Sequence, residues 1–131
     1  MPMYTFDLAY SINVGKRKRI MLQLAPSLNV MLREPHFTRT KRKEEIKKWL
    51  LAQQTPTTPI TKAKITFIRY GIKLLDPIDN MGASFKCIGD ALVECGFLSD
   101  DSCLEIVQVM PRQVKVAHRH EQKIVIGIYG E

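Results

Sequence analysis

Four carboxylates stand around one helix-length segment of this sequence. Asp76 and Asp79 open it in LLDPIDN, Asp100 and Asp101 close it in FLSDD, and Lys86 and Asp90 lie between. Acids gathered at one site repel one another unless a cation neutralises them. Hard divalent cations take oxygen ligands, and Mg²⁺ commonly uses one or two carboxylates together with water and phosphate. The chemistry open to such a set is phosphodiester hydrolysis, in which the ion polarises the phosphate and lowers the pKa of the attacking water.

These acids need elements that bring them together. Spacing predicts a helix from about Asn80 to Cys95, ended by Gly96 just past its last turn. At about 100° per residue, Met81, Phe85, Ile88, Leu92 and Cys95 form one stripe that faces the core. Asp79, Lys86 and Asp90 form a second stripe on the other side, holding a lysine beside two acids. The plain alternative is a capping Asp79 followed by a surface Lys86–Asp90 pair, worth about a few tenths of a kcal/mol. Asp76 closes an apolar strand, KAKITFIRYGI, and Asp101 precedes another, SCLEIVQVM. If those strands neighbour each other, Asp76, Asp79 and Asp101 converge near the helix N-terminus.

The remaining elements follow from periodicity and punctuation. MYTFDLAYSINV alternates and reads as a strand, GKRKR as a turn, and IMLQLA as the antiparallel neighbour. PSLNVMLREPHFTRT reads as irregular, because Pro26, Asn29 and Pro35 interrupt it. Thr40 is the expected N-cap of a helix over about 41–53, with Ile46, Trp49, Leu50 and Gln53 inward and Lys41, Arg42, Lys47 and Lys48 outward. QQTPTTPITK is a connector, and SCLEIVQVM and QKIVIGIYG are the last strands, joined by PRQVKVAHRHE. The expected fold is α+β and two-layered: a mostly antiparallel sheet with two helices, in the order β-β-α-β-α-β-β. With 131 residues, the chain fits a single domain spanning 1–131.

Charge narrows the function classes. Twenty Lys and Arg against thirteen Asp and Glu give +7, and the excess is clustered in Lys16, Arg17, Lys18 and Arg19 and again between residues 39 and 48. Clustered positive charge attracts phosphate backbones irrespective of sequence. Lys16–Arg19 together with Lys41, Arg42, Lys47 and Lys48 are the expected DNA contacts; a merely solvated basic surface is the alternative. Apolar runs fall short of the ~20 residues of a membrane span, so no membrane partner is expected. The first residues lack a signal-peptide pattern, and Cys87, Cys95 and Cys103 offer no paired framework, so a cytoplasmic setting is the expectation. Trp49 reads as core, His118 and His120 as a loop pair lacking metal-ligand company, and the cysteines as inert.

The segment DPIDNMGASFKCIGDALVECGFLSDDS resembles the RusA family of Holliday junction resolvases. The resemblance rests on Asp79-Asn80, Lys86, Asp90-Ala91-Leu92, Gly96 and Asp100-Asp101, with Pro26, Ser27 and Asn29 similar to the family's upstream motif. It implies a homodimeric, Mg²⁺-dependent endonuclease, Mn²⁺ also serving, that resolves four-way or branched DNA by paired cuts during recombination and repair. By position it makes Asp79 and Asp101 metal-binding acids, Asp76 an approximate third, and Lys86 the active-site lysine that steadies phosphate or carboxylate charge. Asp90 matches a helix aspartate of the family, with a purely structural role as the alternative to a catalytic one. The chain departs from the family's D-x-D pair by one residue, since both Pro77 and Ile78 separate Asp76 from Asp79. The helix also holds three extra residues between Asn80 and Asp90, and Leu75 stands where an arginine is usual. The alternative function is a branched-DNA-binding protein with little or no catalysis, and a third is a basic assembly protein.

Overall fold

Alternation of apolar side chains builds the main sheet. In a computed structural model that describes residues 4–13, 21–26, 28–74, 80–99 and 106–130, β1 (Tyr4–Ala9) buries Tyr4, Phe6 and Leu8 and exposes Thr5 and Asp7. β4 (Ala63–Gly71) buries Ala63, Ile65, Phe67, Arg69 and Gly71 on one face. β6 (Lys123–Tyr129) adds Ile124, Ile126 and Ile128 to that face. With β5 (Ile106–Lys115) these form a four-stranded sheet in the order β1-β6-β4-β5. β6 runs antiparallel to both β1 and β4, whereas β4 and β5 run parallel. A small second sheet pairs β2 (Ser11–Asn13) with β3 (Met21–Gln23).

Among the described residues, three α-helices accompany these strands: α1 (Leu28–Leu32), α2 (His36–Gln53) and α3 (Asn80–Glu94). Ile46 and Leu50 of α2 and Ile88, Ala91 and Leu92 of α3 are fully buried in one cluster with the inner face of the sheet. Each buried Ile or Leu contributes roughly 1.5–3 kcal/mol of transfer free energy. Phe97, one residue past the glycine that ends α3, packs edge-on against the stacked rings of Tyr4 and Phe6, with ring centroids 4.9 and 5.0 Å away. The α+β class and the mainly antiparallel sheet are as expected.

Several boundaries differ from expectation, each for a local reason. The first strand is split at Tyr10: its first part joins the main sheet, and only Ser11–Asn13 pairs with the MLQ segment. The span expected to be irregular contains α1, and α2 starts at His36 rather than at Lys41. Pro35 is the N-cap residue of α2 and makes no side-chain cap bond. A proline just before a helix sacrifices no helical N–H, so Pro35 starts α2 as readily as it interrupts the chain. Thr40 lies inside the helix, where its hydroxyl donates weakly to the His36 carbonyl at 3.5 Å. β5 runs straight through Pro111, a residue expected in a connector. β5 is an edge strand, the one place in a sheet where a missing N–H is tolerated.

α3 matches its predicted span. Gly96 adopts φ +87°, Gly96 N–H bonds Val93 O at 3.1 Å, and Phe97 N–H bonds Leu92 O at 3.0 Å. That is the Schellman arrangement, which satisfies the helix's last carbonyls and needs a residue tolerant of positive φ. Trp49 is half-buried and packs against the edge of the core.

Candidate functional site

Lys86 projects into solvent from α3, and α2 brings company to it from 43 to 50 residues away. A cleft of about 220 Å³ between the helices is lined by Met31, His36, Arg39, Thr40, Lys43, Lys86, Cys87 and Asp90. On α2 the spacing 36, 39/40, 43 places these side chains on one side of the helix. The cleft therefore holds two lysines, an arginine and a histidine around a single aspartate. A bound phosphate is the ligand class that such a lining attracts.

Two contacts set the geometry of its walls. Arg39 donates to the Met31 carbonyl at 3.1 Å, tying α2 to α1. Lys43 pairs with Glu94 of α3 at 3.1 Å. That hydrogen bond to Glu94, aided by the field of Asp90, raises the Lys43 pKa and keeps it charged at neutral pH. In the cleft wall, burial raises the Cys87 thiol pKa, although the Arg42 guanidinium pulls the other way. Burial also raises the Cys95 thiol. In both the shift favours the protonated thiol.

Arg42 does not belong to the outward stripe. It is fully buried, donates from Nε to the Gln23 carbonyl at 2.7 Å, and pairs through Nη2 with Glu34 at 2.5 Å. The reason is the helix phase: Arg42, Ile46 and Leu50 are four apart, so all three point inward. Its expected role in touching DNA is therefore withdrawn. Lys41 and Lys48 are solvent-exposed as expected, Lys47 is partly so, and all three pair with Glu44 or Glu45 on the same helix. Gln53, expected to face the core, is exposed and instead clamps the edge of β1, its amide bonding both the N–H and the carbonyl of Asp7 at 2.7 and 2.6 Å.

The acids Asp76, Asp79 and Asp101 lie outside the described residues, as do Lys16, Arg17, Lys18, Arg19, Ser27, Asp100 and Cys103. Their described neighbours are informative. Asn80 begins α3, whereas Ser99 lies beyond its other end, where its N–H bonds the Ile60 carbonyl at 3.2 Å. The two strands do pair, but in parallel, so β5 begins beside the start of β4 rather than its end. Among the described residues no group of three or more His, Cys, Asp or Glu could hold a metal ion.

Arg69 fastens the end of β4 that leads towards Asp76. It is 3% exposed, lies 4.7 Å over the Tyr10 ring, bonds the Tyr10 hydroxyl, and donates to the Ala25 and Lys73 carbonyls at 3.3 and 3.2 Å. Gly71 makes room for it, since a Cβ there would come within 2.8 Å of Arg69 Nη1. An alternating strand gives no warning of such a buried cation. Sequence reasoning also missed Arg39 and Lys43 as site residues, because their shared side emerges only once α2 is known to start at His36.

His118 and His120 stack with centroids 5.5 Å apart around a 3-10 turn (Arg119–Glu121). A larger groove, about 630 Å³, lies beside Arg119 and His120 along Tyr10, Met21 and Gln23. It carries less charge than the α2–α3 cleft and is not adjacent to Lys86, so the smaller cleft is the better candidate. No described helix is long and apolar enough to cross a membrane. Neither a protein-family model nor a curated protein matches the chain.

Proposed function

We propose that this protein is a Mg²⁺-dependent endonuclease of the RusA type that cuts branched DNA, acting as a homodimer. One observation carries most of the weight: Lys86, the lysine of the acid-flanked helix, shares a solvent-open cleft with Arg39 and Lys43 from a separate helix. Cations from distant parts of the chain gathered beside α3 are what a scissile phosphate would need. Asp76, Asp79 and Asp101 offer a hard oxygen donor set, and Mg²⁺ held by them would activate water and polarise the phosphate. Lys86 then steadies phosphate charge while Arg39 and Lys43 fix the backbone. Lys41, Lys47 and Lys48 hold the adjoining duplex arm.

A dimer would supply two active sites across the junction. A two-fold symmetric protein would also match a two-fold symmetric junction.

The test is cleavage of a synthetic four-way junction in Mg²⁺. Wild-type protein nicks it, EDTA stops it, and Asp101→Asn lowers the rate by at least about a hundredfold while junction binding persists. A junction left whole at every Mg²⁺ and Mn²⁺ concentration removes the catalytic reading in favour of a binding protein.

A further inference from the structure

The four-stranded sheet has two faces, and the helices take one of them. β4 turns Ile65 and Phe67 into the core with α2 and α3, so by strand alternation Lys64, Thr66, Ile68 and Tyr70 line the opposite face. Val125 and Tyr129 of β6, Asp7 of β1, and Met110 and Arg112 of β5 share that face, because residues paired across a ladder point the same way. Ile68, Val125, Tyr70 and Tyr129 are only partly buried, Met110 is 38% exposed, and neither Ile68 nor Val125 is part of the core cluster. An apolar sheet centre left open among the described residues marks an interaction surface.

Strand register shows how the charges of this face are laid out. One row across the sheet reads Asp7, Val125, Ile68, Arg112. Its acid and its cation stand on opposite edge strands, three strand spacings or about 14 Å apart, too far to pair within one chain. The two central strands repeat the pattern with rings. Lys64 is paired with Tyr129, and Tyr70 with Lys123, whose Nζ lies 5.0 Å over the Tyr70 ring. Exchanging β1 with β5 and β6 with β4 therefore sets acid against cation and lysine against ring. A two-fold axis running along the strands, between β6 and β4, makes that exchange.

We propose that two copies of this chain meet face to face about such an axis, Asp7 of one copy opposite Arg112 of the other, with Ile68 over Val125 between them. Lys64 and Lys123 then face tyrosine rings of the other copy, a favourable cation–π placement. A two-fold axis running across the strands through this row would oppose Asp7 to Asp7 and Arg112 to Arg112. Isologous interfaces require this self-complementarity. Stacked sheets lie about 10 Å apart, a gap that an aspartate and an arginine span together. Pairing at the sheet edges is less suited, because Gln53 occupies the Asp7 backbone on β1 and Pro111 lacks an N–H on β5. A phosphate backbone is the poorer occupant, since it gains nothing from an apolar centre and is repelled by Asp7. The inference rests on the homodimer of the function proposed above and deepens it by naming the contact surface.

The experiment is sedimentation equilibrium of the full chain, with circular dichroism to check each variant's fold. The wild type should be a dimer. Arg112→Asp and Asp7→Arg should each raise the dimer dissociation constant at least about tenfold. The double variant Asp7→Arg/Arg112→Asp should restore it, because both contacts are inverted together. Ile68→Glu should leave a monomer. Asp7 and Arg112 are exposed, so their variants are expected to fold. Single variants as dimeric as the wild type, or a double variant no tighter than either single one, overturn the inference and leave dimerisation to another surface. A dimer broken by Phe37→Asp but not by Ile68→Glu overturns it as well, placing the interface at the exposed Phe37 of α2. A wild-type chain that stays monomeric removes both this interface and the homodimer; if Arg112→Asp then weakens DNA binding, DNA is the occupant. A dimer that responds as described yet never cuts a junction in Mg²⁺ removes only the catalytic reading.

Discussion

A guanidinium shielded from water must have its charge met inside the protein, and Arg42 meets it through Glu34. The pair joins α2 to the segment just after α1, while the Arg42 Nε bond to Gln23 O reaches β3. It is incompletely satisfied, since Arg42 Nη1 and Glu34 Oε1 are buried without a hydrogen-bond partner among the described residues. Such pairs contribute little net stability compared with apolar packing, but breaking one side is costly. Arg42→Ala is expected to lose about 3 kcal/mol, near the low end for a buried pair because the Glu34 side chain keeps 16% exposure. Urea denaturation measures it. The double variant Arg42→Met/Glu34→Leu should regain most of that loss. A single variant as stable as wild type would mean that water already compensates the pair.

At the scale of elements, α3 carries both the core stripe and the candidate lysine, so its end-stop matters to both. Gly96 holds φ +87°, and an added Cβ there would still be 3.9 Å from Pro56 Cβ, the nearest atom it would meet. The objection to a side chain at this position is therefore backbone conformation rather than space. Gly96→Ala should cost about 1–2 kcal/mol, read as a lower urea midpoint with an unchanged slope. Gly96→Asn should cost less, because asparagine tolerates the left-handed region better than alanine. A loss above that range would point to disrupted packing of Phe97 against Tyr4 and Phe6. α2 has its own division of labour: Ile46 and Leu50 anchor it, Arg42 locks it, and its outer surface carries Lys41, Lys47 and Lys48 paired with Glu44 and Glu45.

For the whole molecule, a net charge of +7 becomes meaningful through its placement. α2 alone holds six Lys or Arg, at 39, 41, 42, 43, 47 and 48, against Glu44 and Glu45. Five of the six are at least partly exposed, and Arg42 is not. Replacing Lys47 or Lys48 with alanine should weaken duplex and junction binding alike. The log–log salt slope should fall by about 0.9 for each phosphate that is no longer neutralised. Fluorescence anisotropy between low and physiological salt measures that slope. Arg42→Lys, if it folds, should leave the slope unchanged. A slope insensitive to Lys47 and Lys48 would assign DNA binding to another surface, such as the basic run at 16–19.

Local patterns in the sequence determined a good deal of this protein. The alternation in β1 and β6, the span of α3 with Gly96 at its end, the burial of Ile88 and Leu92, and the α+β class all follow from nearest neighbours and simple periods. So does the expectation of outward Lys41 and Lys48. Tertiary structure alone decided that β4 and β5 run parallel, that Arg42 turns inward to Glu34 and Arg69 to Tyr10, 8 and 59 residues away, and that Arg39 and Lys43 line one cleft with Lys86. The physical reason is range. Propensity, capping and amphipathic spacing act over a few residues, whereas strand direction, the partner of a buried charge and the lining of a cleft depend on which distant segments meet.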